Sequence, residues 1–349
     1  MTRQFGLSRR GFIGAGAATA VIGSMGAPAR AQAKELVVGH WGGAGPKTIR
    51  SAILPELQAK FAGSRIFIRE GGDLDRKAML EANPNNPEID VYYLSGIDAK
   101  QLAERGLTDL PDPKLVPELA DMYPLAKDGA YGVYLHALAI IYNPEKAKPE
   151  SWFDLWKPEY RGRISVPNSK TIVNQGFVVT IIRAMGGKET NPKDVEEARK
   201  KLLELKPNIV VQHTGTSQAL TVMKSGDTWL SMAVAGYAYQ AKEGGQSVDV
   251  LLPKEGALGA LDAIGVAKNS KNKEMAYEYV RMAMSPKVQA VFADENYWGP
   301  TNGKTQLAEK TAAKVVHGEA AVAKLITPDW AAVTAMRAEW IDWWDKNMV

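Results

Sequence analysis

The chain has 349 residues, 45% of them hydrophobic and 23% charged, which is enough for a large core and unlike a disordered segment. Its net charge of +4 equals the four arginines of residues 1–33, so the remainder is neutral and offers no basic surface for nucleic acid or an anionic membrane. The absence of cysteine excludes disulfides, thiolate nucleophiles, zinc–thiolate centres and iron–sulfur clusters.

The N-terminus opens with Ser8-Arg9-Arg10-Gly11-Phe12-Ile13, continues as a Gly/Ala-rich apolar run to Gly26, and ends in Ala27-Pro28-Ala29-Arg30-Ala31-Gln32-Ala33. A basic start, a short apolar stretch and an A-x-A ending read as a signal peptide over 1–33. Ala31 and Ala33 each complete an A-x-A, and Ala33 is the preferred cleavage site. The S-R-R-x-F-I pattern resembles the twin-arginine type, which implies export of a folded protein to the periplasm. No later segment approaches about 18 uninterrupted apolar residues, so the mature chain is expected to be soluble, without membrane insertion.

Leu36 to Trp41 is an apolar strand that opens into Gly42-Gly43-Ala44-Gly45, and Ile49, Ile53 and Leu57 mark the helix after it. G-G-A-G lacks the spacing of a dinucleotide fingerprint. Arg65 to Arg69 alternates as a second strand, Asp75 to Leu80 reads as a short helix, and Ile89 to Leu94 as a third strand ending in Ser95-Gly96. A serine and a glycine where a strand meets a helix N-terminus suit polar ligand groups, although Ser95 serves equally well as a helix cap. Trp41 fits either a cleft border or the core. Residues 108–128 look irregular; Ala137 to Ile141 is an apolar run closed by Tyr142-Asn143-Pro144.

Ser151 to Arg163 (S-W-F-D-L-W-K-P-E-Y-R-G-R) reads as a helix anchored by two tryptophans, then a turn into strand Ile164 to Val166. Asn168-Ser169-Lys170-Thr171 precede a helix over Val173 to Met185, where hydroxyls and a lysine favour an anion or a neutral polar group. Asp194 to Leu205 and Gln218 to Lys224 are predicted helices, Thr228 to Val234 a strand, and Ala235-Gly236-Tyr237 a further helix start. The apolar run Leu258 to Ala267 then carries one carboxylate, Asp262, which is costly to bury unpaired. It calls for a lysine, an arginine or a pair of backbone N–H groups, or else faces a ligand cleft. Met275, Tyr279 and Met282 recur at helical spacing up to Pro286, and Trp298 lies in a loop able to close over a cleft. Trp340, Trp343 and Trp344 form a helical stripe better suited to packing than to ligand contact.

Two stretches carry a family resemblance. The 151–163 segment, and the glycine approach, carboxylate and A-I-G-V-A-K-N-S-K-N of 256–272, resemble periplasmic solute-binding proteins of ABC importers, the polyamine-binding subgroup above all. The resemblance implies an α/β fold of two lobes with two crossing strands, near 136–142 and 256–266. It divides the mature chain into a discontinuous first lobe (34–137 and 258–349, the C-terminal helices wrapping it and the hinge) and a second lobe (138–257). The implied ligand site comprises Trp41, Gly42, Gly43, Ser95, Gly96, Asn168, Ser169, Lys170, Thr171, Tyr237, Asp262 and Trp298. No cofactor, metal or catalytic residue is implied; the partners are a small-molecule solute and an inner-membrane ABC permease, and the protein acts as a monomer. The chain departs from polyamine binders in that loop 168–171 lacks acidic residues, while Val234 and Ala260 stand where those proteins carry aromatics. An amine-bearing solute, with or without an anionic end, is therefore a better expectation than a long polyamine. Two alternatives stay open: a periplasmic enzyme, weakened by the lack of G-x-S-x-G and H-E-x-x-H patterns and of metal spacing among His40, His136, His213 and His317, and a ferric- or anion-binding member using Tyr237 and Tyr239.

Overall fold

The structure, a computed structural model, describes residues 34–348. The predicted signal peptide lies outside the described residues.

Ten strands form one mixed sheet: β1 (Glu35–His40), β2 (Arg65–Glu70), β3 (Val91–Ser95), β4 (Tyr131–Tyr142), β5 (Ile164–Pro167), β6 (Ile209–His213), β7 (Leu230–Val234), β8 (Asp249–Leu251), β9 (Leu258–Val266) and β10 (Gly299–Pro300). The order is β2-β1-β3-β9-β4-β7-β5-β6, with β8 and β10 pairing on β4. β1 runs parallel to β2 and β3, and β5 runs parallel to β6 and β7. Between these two parallel sets lie the antiparallel strands β4 and β9. β4 is twelve residues long and buried except at Tyr142, as an apolar run covered on both faces should be.

Helices follow the parallel strands: α1 (Ala44–Ala52), α2 (Leu54–Lys60), α3 (Asp73–Ala82) and α4 (Gly96–Glu104) in the first set, then α5 (Ile172–Ala184), α6 (Pro192–Leu205), α7 (Thr216–Lys224) and α8 (Ala235–Glu243) in the second. α9 (Lys273–Met284) carries Met275, Tyr279 and Met282 on its buried face. Beyond it, Pro286 opens α10 (Pro286–Asn296), because a proline at the first helical position gives up no needed N–H and Ser285 caps the start. The short α11 (Glu309–Ala312) and α12 (Glu319–Val322) lead to α13 (Trp330–Asn347).

Apolar side chains collect in two main cores. The first joins β1, β3, the start of β4, the end of β9, α1, α9 and α10, with Tyr93, Tyr134, Tyr279 and Trp298 inside it. The second joins Leu138 and Ile140 of β4, β5, β7, α5 and α6 with Trp152, Leu155 and Tyr160. The 151–163 segment is anchored by its indoles: Trp152 Nε1–H donates to the Gly256 carbonyl at 2.8 Å, and Trp156 Nε1–H to that of Lys201 at 2.7 Å.

The C-terminal helix packs its tryptophans inward: Trp340 and Trp344 of α13 lie in the second core beside α5. Ends that lock it there are Asp329, whose N–H donates to Glu189 at 2.7 Å, and Asp345, which accepts from Ser169 at 2.6 Å. The tryptophan stripe signals that the helix packs; it does not say against which core.

Candidate functional site

Parallel strands expose their C-terminal ends along one edge, where the following helices present unpaired N–H groups. In the first set that edge carries His40, Glu70 and Ser95, followed by the starts of α1, α3 and α4; in the second it carries Pro167, His213 and Val234. The crossing strand β9 joins the first edge directly, since Asp262 is in register with Ser95 on β3 and with Tyr134 on β4.

Asp262 is the centre of the cluster, its side chain 19% exposed. Its partner is neither a lysine, an arginine nor a pair of backbone N–H groups. His136 Nε2–H donates to Asp262 Oδ2 at 2.8 Å. In the antiparallel pair β4–β9, His136 faces Ala260 and Tyr134 faces Asp262, which makes His136 and Asp262 diagonal neighbours on one face. Aromatic rings floor the pair. Trp298 lies edge-on to His136 at 5.4 Å and tilted on Tyr134 at 5.0 Å. Tyr134 stacks on Tyr93 at 6.1 Å, and the Tyr93 hydroxyl bonds that of Tyr279 at 2.9 Å.

Trp298 does not close over the cluster from outside. The residue is 4% exposed and belongs to the first core. Tyr297 before it takes the left-handed conformation (φ 56°) at the end of α10, which redirects the chain and carries the next side chain inward. Its own hydroxyl bonds Glu243 on α8.

His40 ends β1 fully buried, and its Nδ1–H donates to the Trp41 carbonyl at 2.6 Å. Burial pushes this imidazole down to about 4, so it is neutral at pH 7. Trp41 lies half-buried with the Arg76 guanidinium 4.9 Å over its ring. Arg76, 2% exposed, pairs with Asp73 at 2.5 Å and donates to the Gly71 carbonyl. Burial lifts the Asp73 carboxyl to about 6; the Arg76 charge opposes the rise while Asp98 and Asp262 add to it.

Ser95 caps α4, accepting from the Asp98 N–H at 3.2 Å and donating to the Asp98 carboxylate at 2.9 Å, and Lys77 pairs with the same carboxylate. Gly96 sits close against β9, since a Cβ there would stand 3.2 Å from the Leu261 carbonyl. Gly42 is exposed, and Gly43 starts α1 with φ 89°, a conformation that favours glycine. Tyr237, at the start of α8, has its phenol raised by burial, with the charge of Asp262 adding to the rise.

Loop 168–171 is engaged differently. Asn168 Oδ1 accepts from the Lys170 N–H, and Thr171 caps α5 by accepting from the Asn174 N–H. Ser169 is 1% exposed and donates to Asp345, while the exposed Lys170 accepts through its carbonyl from Arg337. These groups hold the start of α5 to α13. Among the described residues no group of three His, Asp or Glu side chains could hold a metal ion, and no helix is long and apolar enough to cross a membrane.

Sequence reasoning named His136 only as a histidine outside metal spacing and passed over Asp73 and Arg76. The two crossing strands were visible, but not the register that sets His136 diagonal to Asp262. Asp73 and Arg76 stand three apart at the start of a helix, a spacing that puts both on one face, although nothing local marks them as buried.

A profile described as bacterial extracellular solute-binding protein matches residues 56–320. The spermidine/putrescine-binding periplasmic protein of Escherichia coli K12 is 31% identical over 209 residues, 58% of this chain and 56% of that protein, so the match spans little more than half of the relative's length. The gamma-aminobutyric acid-binding protein of Pseudomonas aeruginosa is 25% identical over 294 residues, 82% of each chain. The crystal structure of an ABC transporter from Clostridium perfringens superposes with a TM-score of 0.76 at 26% identity, covering 90% of this chain and all of that one. The architecture is the two-lobed α/β fold of periplasmic binding proteins. From the profile match and the shared fold together, the chain belongs to the bacterial extracellular solute-binding protein family.

Proposed function

We propose that the protein is the substrate-binding component of an ABC importer. A twin-arginine-type leader sends it to the periplasm, where it captures a small amine-bearing solute between two lobes and delivers it to an inner-membrane permease. Asp262 anchors the ammonium, the first-set edge (Trp41, Gly42, Gly43, Ser95, Gly96) borders it, and Tyr237 approaches from the other lobe. The lobes follow the two cores, with β4 and β9 as crossings and α13 bracing the second. They close around the solute by hinge motion.

The observation that carries this reading is Asp262 itself. It is a largely buried carboxylate on a crossing strand, in register with Tyr134 and bonded to His136, and among the described residues no lysine or arginine pairs with it. A buried carboxylate without a cation is costly, and a ligand ammonium between aromatic faces relieves that cost. The named ligands of two relatives, spermidine/putrescine and gamma-aminobutyric acid, share an ammonium on a short aliphatic chain. The test is calorimetric titration of the mature protein with putrescine and with γ-aminobutyrate. Asp262→Asn should weaken the better of the two about 100-fold, the scale of a desolvated charge-assisted contact of about 3 kcal/mol. An Asn variant that binds as well as wild type would refute the anchor.

A further inference from the structure

We propose that His136 is a proton-operated competitor for the ligand at Asp262, so that solute capture releases a proton and weakens as the medium acidifies. This rests on the reading of Asp262 as the amine anchor and adds to it the residue that regulates that anchor.

His136 Nε2–H donates to Asp262 Oδ2 at 2.8 Å, and among the described residues no hydrogen bond is made to Oδ1, the oxygen left for a ligand N–H. While the imidazole is neutral it donates one hydrogen bond and leaves the carboxylate charge intact for an ammonium. Once protonated, it cancels that charge. The other ring nitrogen, Nδ1, is buried without a partner among the described residues. A second proton on the ring therefore depends on Asp262 for its stabilisation. An ammonium that takes up the Asp262 charge removes this support, and the proton leaves. Proton and ligand compete for one negative charge.

The other charged groups around the pair do not duplicate this role. Trp298, edge-on to His136, is uncharged. His40, stacked on Trp298 from β1, is kept neutral by burial. On α3, Arg76 is committed to Asp73 at 2.5 Å. Tyr134 and Tyr237 stay protonated, because burial raises both phenols. Asp73 is the exception, since its carboxyl titrates at about 6 and its charge favours an ammonium at higher pH. It contributes a pH slope of the same sign, which the His136 variant retains. Aliphatic amines stay charged throughout the range of an imidazole, so the slope belongs to the protein.

The experiment measures putrescine and γ-aminobutyrate affinities of the mature protein from pH 7.5 to 5.5, for wild type, His136→Gln and Asp262→Asn. Glutamine keeps a donor for Asp262 and cannot take the charge. Wild type should lose about tenfold in affinity across the range, and His136→Gln less than about threefold, the remainder reporting Asp73. Calorimetry at pH 6.5 in buffers of different ionisation heat should show proton release by wild type and little by His136→Gln. Equal slopes and equal proton release in the two proteins overturn the inference while the anchor stands. Asp262→Asn binding like wild type overturns the anchor and the inference with it. A ligand-free arm follows the His136 ring signals by NMR between pH 5 and 8 in wild type and Asp262→Asn. A ring that does not titrate in wild type, or titrates identically in both proteins, overturns the inference whatever the probes do.

Discussion

Two strand-end edges of this molecule are built alike and equipped differently. Each has a strand ending in a buried histidine, His40 on β1 and His213 on β6, followed by a glycine-bearing turn into a helix. At the first edge, charges gather: Asp73, Arg76, Lys77, Asp98 and, across the register, Asp262. At the second, the polar groups are hydroxyls and amides bonded within the lobe, as Thr171 caps α5, Ser169 holds α13 and Thr216 accepts the Val234 N–H. The same backbone geometry thus carries the proposed solute edge in one place and a structural seam in the other. What decides is which side chains remain after the helix ends are satisfied.

The largest expected effect tests the seam. Trp344 is fully buried, and its Nε1–H donates to Gln212 at 2.9 Å, tying α13 to β6. Trp344→Ala should lower stability by about 4 kcal/mol through the cavity and the lost contacts. Urea unfolding measures it, and a loss under about 1 kcal/mol would mean that α13 does not brace the second core.

Acid should then separate the edges. Burial pushes His213 down to about 4, as it does His40. Each imidazole takes up a proton more readily unfolded, so stability is intact above about 6.5 and falls as pH drops toward 4. Between pH 6.5 and 5 that amounts to roughly 2 kcal/mol for each. At the first edge, Asp73 works the other way. Its folded carboxyl titrates at about 6, above the ordinary value, so stability rises as pH falls from about 6 toward 4 and offsets most of the His40 loss. The second core has no such offset. Glu189 is held below the ordinary range by Arg183 and the Asp329 N–H against the opposing effect of burial, so its contribution too is lost in acid, below about pH 4.5. Hydrogen exchange at pH 7 and 5, corrected for intrinsic rates, should show protection lost first over 164–213 and 330–347. His213→Gln should abolish the acid-induced loss of protection over 164–213 while His40→Gln leaves it in place, and the reverse outcome would break the comparison.

Much of this architecture could be read from the chain. The strand-then-helix alternation is a local pattern of period and punctuation, and it places the parallel strands and most helices, whereas 151–163, read as one helix, forms two short 3-10 turns at Trp152–Trp156 and Pro158–Tyr160. Asp262 was found because a single acid in an apolar run is locally anomalous. Its partner was not, because pairing His136 with it requires a register, a non-local quantity that a β-bulge between Gly132 and Tyr134 shifts further. Loop 168–171 is ambiguous for the converse reason. Hydroxyls at a helix start look the same whether they await a ligand or bond to Asp345, more than 170 residues away along the chain. The tryptophan stripe of α13 likewise specifies burial without naming the surface that covers it.

Two serines give the smallest and sharpest contrast. Ser95 caps α4 at the first edge with its hydroxyl part-exposed beside Asp98, while Ser169 is closed off under α13 with its hydroxyl on Asp345. Alanine at either position removes one side-chain hydrogen bond and should cost about 1 kcal/mol in urea unfolding. Asp345 is exposed and can turn to water, which keeps the second loss small. Binding should part them. Ser95→Ala loses a hydroxyl at the proposed solute edge and loosens Asp98, so amine affinity should fall about fivefold, the equivalent of one hydrogen bond. Ser169→Ala should leave that affinity within about twofold, because its hydroxyl belongs to the seam. If Ser169→Ala weakens the amine as much as Ser95→Ala does, the second edge contacts solute after all and the division of labour between the two edges is wrong.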